Sequence, residues 1–131
     1  MKREIKFRAW NTNSKEMMDC ISIQDLACRT KLDRANVNLL IFEQFTGLKD
    51  KNGVDIYEGD IVSTRTLNAE LNDLDFENYE VGFFNGTFCL IKNEQAIRQW
   101  KDGTNDWYSL ENTESFEIEL IGNIHENINT L

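Results

Sequence analysis

The chain has 131 residues, about the length of one domain, with 14 Lys and Arg against 23 Asp and Glu and a net charge of −9. Hydrophobic residues make up 40% and charged residues 28%, which is typical of a folded, water-soluble protein and excludes a disordered or fibrous chain. No stretch approaches the roughly 18 apolar residues of a membrane span. The N-terminus shows no secretory signal, and the three Cys, at 20, 28 and 89, form no CxxC pair. We therefore expect a cytoplasmic protein without membrane contact.

Charge is distributed unevenly along the sequence. Residues 1–65 carry 11 basic and 10 acidic side chains, whereas residues 66–131 carry 3 and 13. Two such halves can contact oppositely charged partners or each other, and a solvated acidic face that maintains solubility explains the same pattern. The acidic balance disfavours nucleic acid as a partner of the whole surface.

The N-terminal segment alternates apolar and basic residues, the period of a strand with one buried face. The alternation predicts a core face of Ile5, Phe7 and Ala9 and an outward face of Lys6, Arg8 and Trp10. We expect the outward side chains to contact a partner or a second copy of the chain in a homo-oligomer, since aromatic and Arg side chains commonly anchor interfaces. The alternatives are phosphate contact with base stacking, protection of an edge strand by charge, and charges that pair within the monomer or face water.

The middle of the chain contains several strand and turn patterns. A turn over residues 11–14 and a short strand over Met17 and Met18 complete a hairpin with the first strand. Residues 20–36 fit either a strand or a helical turn beginning near Asp25, and residues 37–45 predict a strand. Residues 46–60 are dense in turn residues, and residues 68–78 predict an exposed, carboxylate-rich loop. The turn residues expected to set the backbone here are Gly47, Asn52, Gly53, Gly59 and Asp60.

Asn85-Gly86 is the strongest hairpin pattern in the sequence. A two-residue loop there pairs residues 79–84 with residues 87–92, Phe84 opposite Thr87, Phe83 opposite Phe88 and Val81 opposite Leu90. We expect the face of Val81, Phe83, Phe88 and Leu90 to belong to the core.

The C-terminal third predicts one helix and one strand. Asn93 is a candidate N-cap of a short helix ending at Gly103. Residues 104–114 predict a loop held by Trp107, Tyr108 and Leu110, and residues 115–121 predict a strand. Together the patterns indicate a mainly β fold with little helix.

No pattern of catalytic, metal or cofactor chemistry emerges. The single histidine, His125, is expected at the surface or in a cap, and Cys89 in the core. Two calcium-like stretches fail. Residues 73–84 have Asn78 in place of Gly at position 6 and Phe84 in place of Glu at position 12, and residues 48–59 have Leu48 at position 1 and Gly59 at position 12. No Gly-rich nucleotide loop is present. We therefore expect no metal, no cofactor, no catalytic residues and no enzymatic activity.

Three sequence blocks carry a family resemblance: IKFRAW at residues 5–10, QFTGLKDKNGVDIYEGDIV at residues 44–62 and IGNIHEN at residues 121–127. With these blocks the chain resembles the YopX family of phage and prophage proteins. The resemblance implies a protein in the cytoplasm of an infected or lysogenic bacterium. It also implies one domain over residues 1–131 with an SH3-like β-barrel in residues 46–131. Residues 1–45 would add an N-terminal β-hairpin and a variable segment.

The resemblance supplies no catalytic or binding residues, because no biochemical function is known to us for the family. Its motif residues are mostly of the kinds that fix turns and cores. They are Phe45, Gly47, Leu48, Asn52, Gly53, Ile56, Tyr57, Gly59 and Asp60.

The function that we expect is noncatalytic binding, as an adaptor acting on a host or phage protein. The alternatives are a nucleic-acid-associated protein that uses the basic strand around Trp10, and a DNA mimic. In the second alternative, the acidic stretch at residues 70–80 occupies a host DNA-binding protein.

Overall fold

The computed structural model describes residues 4–28, 37–68, 73–84, 86–91, 107–109 and 118–127. Strands dominate these ranges, with a single α-helix, α1, at Ile23–Cys28 and one 3₁₀ turn at Val37–Leu39. The strands are β1 Lys6–Asn11, β2 Glu16–Ser22, β3 Leu40–Lys49, β4 Asp55–Tyr57, β5 Asp60–Asn68, β6 Asp73–Phe84, β7 Thr87–Ile91, β8 Trp107–Ser109 and β9 Ile118–Asn123.

The strands form two antiparallel sheets, ordered β2-β1-β3-β4 and β8-β7-β6-β5-β9. The predicted mainly β fold with one short helix is confirmed, and the sheet curls into a half-barrel. Strand β3 spans the predicted boundary at residues 45 and 46, with an irregularity in its pairing to β4 between Phe45 and Lys49. In the described part of the chain, no helix has the length and apolar character required to cross a membrane.

The N-terminal hairpin forms as the alternation predicts, with Trp10 opposite Met17. Its turn is fixed by Asn11, whose side-chain oxygen accepts the backbone N–H groups of Asn13 and Ser14. In residues 20–28, the described part of the segment that fits either a strand or a helical turn, a capping box sets the boundary. The Ser22 hydroxyl accepts the Asp25 N–H while the Asp25 carboxylate accepts the Ser22 N–H, so the strand ends at Ser22 and a helix begins.

The predicted outward face of β1 is wrong for two of its three residues. Arg8 and Trp10 are each only 6% exposed, and Ile5, predicted to face the core, is 41% exposed. Strand β1 lies between β2 and β3, so Ala9 packs on one face against a cluster that includes Ile21 and Leu40. The face that bears Arg8 and Trp10 is covered by distant segments. Alternation identifies which side chains share a face but not whether that face meets water.

The main core lies on the second sheet. Its buried members are Ile56, Val62, Tyr79, Val81, Phe88, Leu90 and Ile118, with Leu48 and Leu120 packed against them. The predicted register of the β6–β7 hairpin is confirmed, with Phe84 opposite Thr87 and Val81 opposite Leu90. The core position predicted for Phe83 is wrong: its side chain is 54% exposed near the hairpin end, with its ring centroid 5.1 Å from that of Phe88. Cys89 is buried as predicted, on the other face of the hairpin.

Several predicted loops are strands. Residues 46–60 contain the end of β3 and all of β4. Conversely, residues 37–39, predicted as the start of a strand, form a 3₁₀ turn before β3 begins. The predicted exposed loop at residues 68–78 is wrong where it is described, because β5 and β6 pair as far as Asn68 opposite Asp73. Trp107 and Tyr108 belong to β8, which pairs with β7, and not to a loop. Pairing between distant strands overrides local turn and charge patterns here.

Some predictions fall outside the described residues. They are the helix from Asn93 to Gly103, Leu110, Asn85 and the first three residues of the strand predicted at 115–121. The rest of that strand is present as the start of β9.

Candidate functional site

A buried charge cluster lies where the two sheets meet, and Arg8 is at its centre. The guanidinium donates from Nε to Glu43 Oε1 at 3.0 Å, from Nη1 to Asp60 Oδ1 at 2.5 Å and from Nη2 to the Glu58 carbonyl at 3.2 Å. It also lies 5.1 Å from the centre of the Tyr57 ring. Three segments distant in sequence are therefore joined by one side chain, whose planar fork suits such contacts.

Asp60 is the most deeply buried acid of this cluster, at 1% exposure. Its Oδ2 accepts the backbone N–H of Tyr57 at 2.8 Å while Oδ1 faces Arg8. Burial raises the pKa of Asp60 to about 6, despite the opposing effects of the Arg8 charge and the Tyr57 N–H. The carboxyl group therefore changes its charge near neutral pH.

Gly59 places its backbone directly against the cluster. Its φ of 83° lies in the left-handed region, which confirms the predicted conformation. A Cβ atom there would lie 1.7 Å from Glu43 Oε2. The Gly59 N–H donates to the Val81 carbonyl at 2.7 Å, and its own carbonyl accepts the Ile124 N–H at 2.9 Å. The residue is thus a junction between both sheets and the C-terminal segment.

His125 is part of the cluster, so its predicted surface or capping position is wrong. The imidazole stacks on Trp10 with centroids 4.9 Å apart and an interplanar angle of 8°. Nε2 lies 3.4 Å from Glu43 Oε1, is buried and makes no hydrogen bond, and the side chain is 10% exposed. The Asn123 side-chain oxygen accepts the His125 N–H, so a turn after β9 directs the ring inward.

An open pocket of about 230 Å³ lies beside the cluster, between β3 and β6. Three Glu residues and several apolar residues line it. The lining residues are Ile41, Phe42, Glu43, Glu58, Gly59, Glu80, Val81, Gly82 and Ile124. Glu58 is held in place, because its Oε1 accepts the Gln44 N–H at 2.8 Å. The pocket is therefore a preformed acidic depression with an apolar wall.

The predicted contact residues Lys6, Arg8 and Trp10 all have partners within the chain. Lys6 Nζ donates to Asp55 Oδ2 at 2.6 Å and lies 4.5 Å from the centre of the Phe45 ring. The hydrogen bond to Asp55 raises the pKa of Lys6. For Lys6 and Arg8 these contacts are one of the alternatives stated above, charge pairing within the monomer. The subunit contact stays a prediction.

The predicted turn residues have mostly structural roles. Gly47, Gly53, Gly59 and Gly86 all have positive φ, and the Asn52 N–H donates to the Asp50 carboxylate. Asp60 is more than a turn residue, since it carries one of the two carboxylates that face Arg8. Sequence reasoning missed Glu43, Glu58 and the position of His125. In the described residues, no group of three or more His, Cys, Asp or Glu is placed to hold a metal ion.

The cluster is assembled from the three sequence blocks that carry the family resemblance. Arg8 and Trp10 come from the first block, Asp60 from the second and His125 from the third, while Glu43 immediately precedes the second. The blocks thus meet in space at one buried site. The three blocks are far apart in the sequence, but their side chains contact one another in the fold.

Fold and site define a small mainly β protein with a buried ionic centre and an adjoining acidic pocket. The sequence model of the family described as "YopX protein" matches residues 6–131, so the chain belongs to the YopX family.

Two solved structures resemble the chain over nearly their whole length. Protein EF1440 from Enterococcus faecalis is 23% identical with a TM-score of 0.54, and 97% of each chain is covered. Protein yopX from Bacillus subtilis is 17% identical with a TM-score of 0.55, covering 96% of this chain and 97% of that one. These likenesses show the fold. No curated protein sequence matches the chain.

Proposed function

We propose that this chain is a noncatalytic binding protein of a phage or prophage, acting in the bacterial cytoplasm on a host or phage protein. The pocket between β3 and β6 is its contact site. The observation that carries the proposal is the mixed character of this preformed pocket, which combines carboxylates with an apolar wall. Such a surface suits recognition of a protein segment.

The burial of His125 Nε2 and of the Cys89 thiol supports a noncatalytic role. The side chain of the single histidine is 10% exposed, and its Nε2 is buried against Glu43. Burial, with a smaller effect of the Glu80 charge, raises the pKa of the Cys89 thiol, so that sulfur stays protonated and unreactive. A catalytic base or nucleophile needs access to its substrate, which neither group has.

The pocket favours a basic side chain of the partner. Glu58 and Glu80 line it with acidic side chains, Glu43 being paired with Arg8, and Ile41 and Ile124 contribute apolar surface. A Lys or Arg side chain combines a positive head with an aliphatic stem, so it complements both features. The alternative of nucleic acid bound by the first strand has less support, because Lys6 and Arg8 are paired with carboxylates.

A positive charge introduced into the pocket tests the proposal. Ile41 lines the pocket and is 44% exposed, whereas Val54 lies in the β3–β4 turn, outside the pocket, and is 46% exposed. We expect Ile41→Lys to weaken binding of a captured partner by about tenfold or more, because it places a cation where the partner's cation binds. Val54→Lys, the matched control, should bind as wild type does.

The measurement is capture of partners from host lysate by the tagged protein, followed by titration of the purified partner against each variant. Equal binding by both variants, with unchanged folding by circular dichroism, would contradict the pocket as the contact site. Displacement of the partner by duplex DNA would favour the DNA-mimic alternative over an adaptor role.

A further inference from the structure

The turn between β4 and β5 bridges one edge of β3 and one edge of β6. The Gln44 N–H donates to Glu58 Oε1, and the Gln44 carbonyl accepts the Glu58 N–H at 3.0 Å. The next residue, Gly59, donates its N–H to the Val81 carbonyl at 2.7 Å. Glu58 and Gly59 thus fill the space between the two strands, and both line the pocket beside them.

Phe42 of β3 presents its backbone N–H and C=O groups on the pocket side. Backbone groups in a strand point to alternate sides, so those of Phe42 point the same way as those of Gln44. That way is opposite to β1, because the Leu39 carbonyl accepts the Thr12 N–H on the side of β1. Within the described ranges, no strand pairs with Phe42 on its pocket side. Since Phe42 lines the pocket, an open strand edge forms part of the pocket wall.

Phe83 of β6 has the corresponding position across the pocket. It lies two residues beyond Val81, whose carbonyl points toward β5, so its backbone groups point to that side as well. The pairing of β6 with β5 starts at Glu80, and the described part of the chain places no strand beside Phe83 on that side. Phe42 and Phe83 thus border a slot whose base is the β4–β5 turn.

We propose that an extended segment of the partner protein adds as a strand in this slot, pairing with the Phe42 backbone and placing one Lys or Arg side chain in the pocket. The added strand continues along β3 the line that β4 and Glu58 begin. In strand addition, main-chain hydrogen bonds give affinity and a side-chain pocket gives specificity. This mode of binding rests on the proposed function and specifies the conformation of the partner at that site.

The size and charge of the pocket favour one basic side chain. Its volume of about 230 Å³ is below the roughly 300–1,000 Å³ of most small-molecule sites, which suits a single side chain. Glu58 and Glu80 line it, and the Glu58 carboxylate is oriented by the uncharged Gln44 N–H. A cationic side chain therefore meets a complementary charge, whereas an anionic side chain is repelled.

A library of linear peptides of about nine residues, selected for binding to the full chain, supplies the probe. We expect the selected peptides to share a Lys or Arg at one position. Glu58→Gln keeps an acceptor for the Gln44 N–H but removes the charge, so it should weaken peptide binding about threefold or more. Glu16→Gln, at an exposed acid of β2, is the matched control and should bind as wild type does. Selected peptides without a shared basic residue, or equal binding by both variants, overturn the proposal.

Amide hydrogen exchange in the peptide complex tests the strand pairing. The Phe42 N–H points into the slot, whereas the Ile41 N–H points toward β1. Saturating peptide should slow the exchange of Phe42 relative to that of Ile41 by about tenfold or more. A library that yields no binding peptide overturns strand addition, as does binding without this change.

Strand addition and the pocket contact fail by different results. A captured partner that binds Ile41→Lys as tightly as Val54→Lys contradicts the pocket as the contact site. A peptide whose binding is weakened by Glu58→Gln, but which leaves the exchange of Phe42 unchanged, contradicts only the added strand.

Discussion

The guanidinium of Arg8 donates in three directions, and each direction ends on a different part of the chain. A Lys ammonium is a point charge without this planar fork, so it would not satisfy Glu43, Asp60 and the Glu58 carbonyl with the same geometry. A buried ion group of this kind adds little net stability over a hydrophobic one, but the loss of one partner leaves an uncompensated charge. The residue therefore fixes how the sheets meet more than it increases total stability.

Gly59→Ala tests the closest contact in the cluster. Gly59 and Gly53 share the same backbone region, with φ of 83° and 80°, but a Cβ at Gly53 meets nothing within 4 Å. Gly53→Ala should cost only the strain of a left-handed residue, roughly 1–2 kcal/mol. Gly59→Ala should cost at least about 1 kcal/mol more, because its Cβ displaces the Glu43 carboxylate from Arg8.

Urea denaturation of the two variants gives this difference. Equal losses of unfolding free energy at Gly59 and Gly53 would show that Glu43 moves aside without penalty.

At the scale of elements, the turn between β3 and β4 connects the two sheets through Asp50. Its Oδ1 accepts the N–H groups of Asn52 and Val54, and its Oδ2 accepts the Leu120 N–H of β9. The Lys51 N–H also donates to the Ile118 carbonyl. Burial opposes ionisation of Asp50, but the three backbone donors lower its pKa below the ordinary value. The turn thus covers the outer edge of β9.

Asp50→Asn should loosen this connection. The amide loses the charge that strengthens three backbone hydrogen bonds, and its NH₂ group replaces one acceptor, so we expect a loss of about 2–4 kcal/mol in unfolding free energy. The control is Glu119→Gln, which removes an exposed ion pair with Lys51 between the same turn and β9. That change should cost less than about 1 kcal/mol. Thermal and urea unfolding of both variants provide the comparison, and similar losses would contradict the role of Asp50.

Elements with local determinants were predictable from the sequence, and the site was not. The register of the β6–β7 hairpin follows from a two-residue turn and its flanking residues, and the conformation of Gly59 follows from a glycine before a strand. The partners of Arg8, by contrast, lie 35 and 52 residues away. Nothing near Arg8 in the sequence distinguishes a buried cation from an exposed one, so burial of this face requires knowledge of the tertiary packing.

For the whole molecule, three Asp residues respond to pH in opposite directions. The pKa of Asp60 is raised mainly by burial, whereas the pKa values of Asp50 and Asp55 are lowered against the effect of burial. Asp55 owes its lowered pKa to Lys49 and Lys6, which flank it at 2.7 and 2.6 Å. Each acid therefore gains or loses stability in a different pH range.

We expect the free energy of unfolding to be greatest between about pH 4 and pH 6. As the pH falls from 7.5 toward 5, folded Asp60, with a pKa of about 6, takes up a proton before its unfolded form, whose ordinary value is 3.8, and stability rises. Below about pH 4 the unfolded chain binds more protons at Asp50 and Asp55, so stability falls. Urea denaturation of the wild-type protein at about pH 3, 5 and 7.5 should give the highest value at pH 5. The excess over pH 7.5 should be on the order of 1–2 kcal/mol. Stability that increases steadily from pH 5 to pH 7.5 would show that Asp60 is ionised in the folded protein without cost.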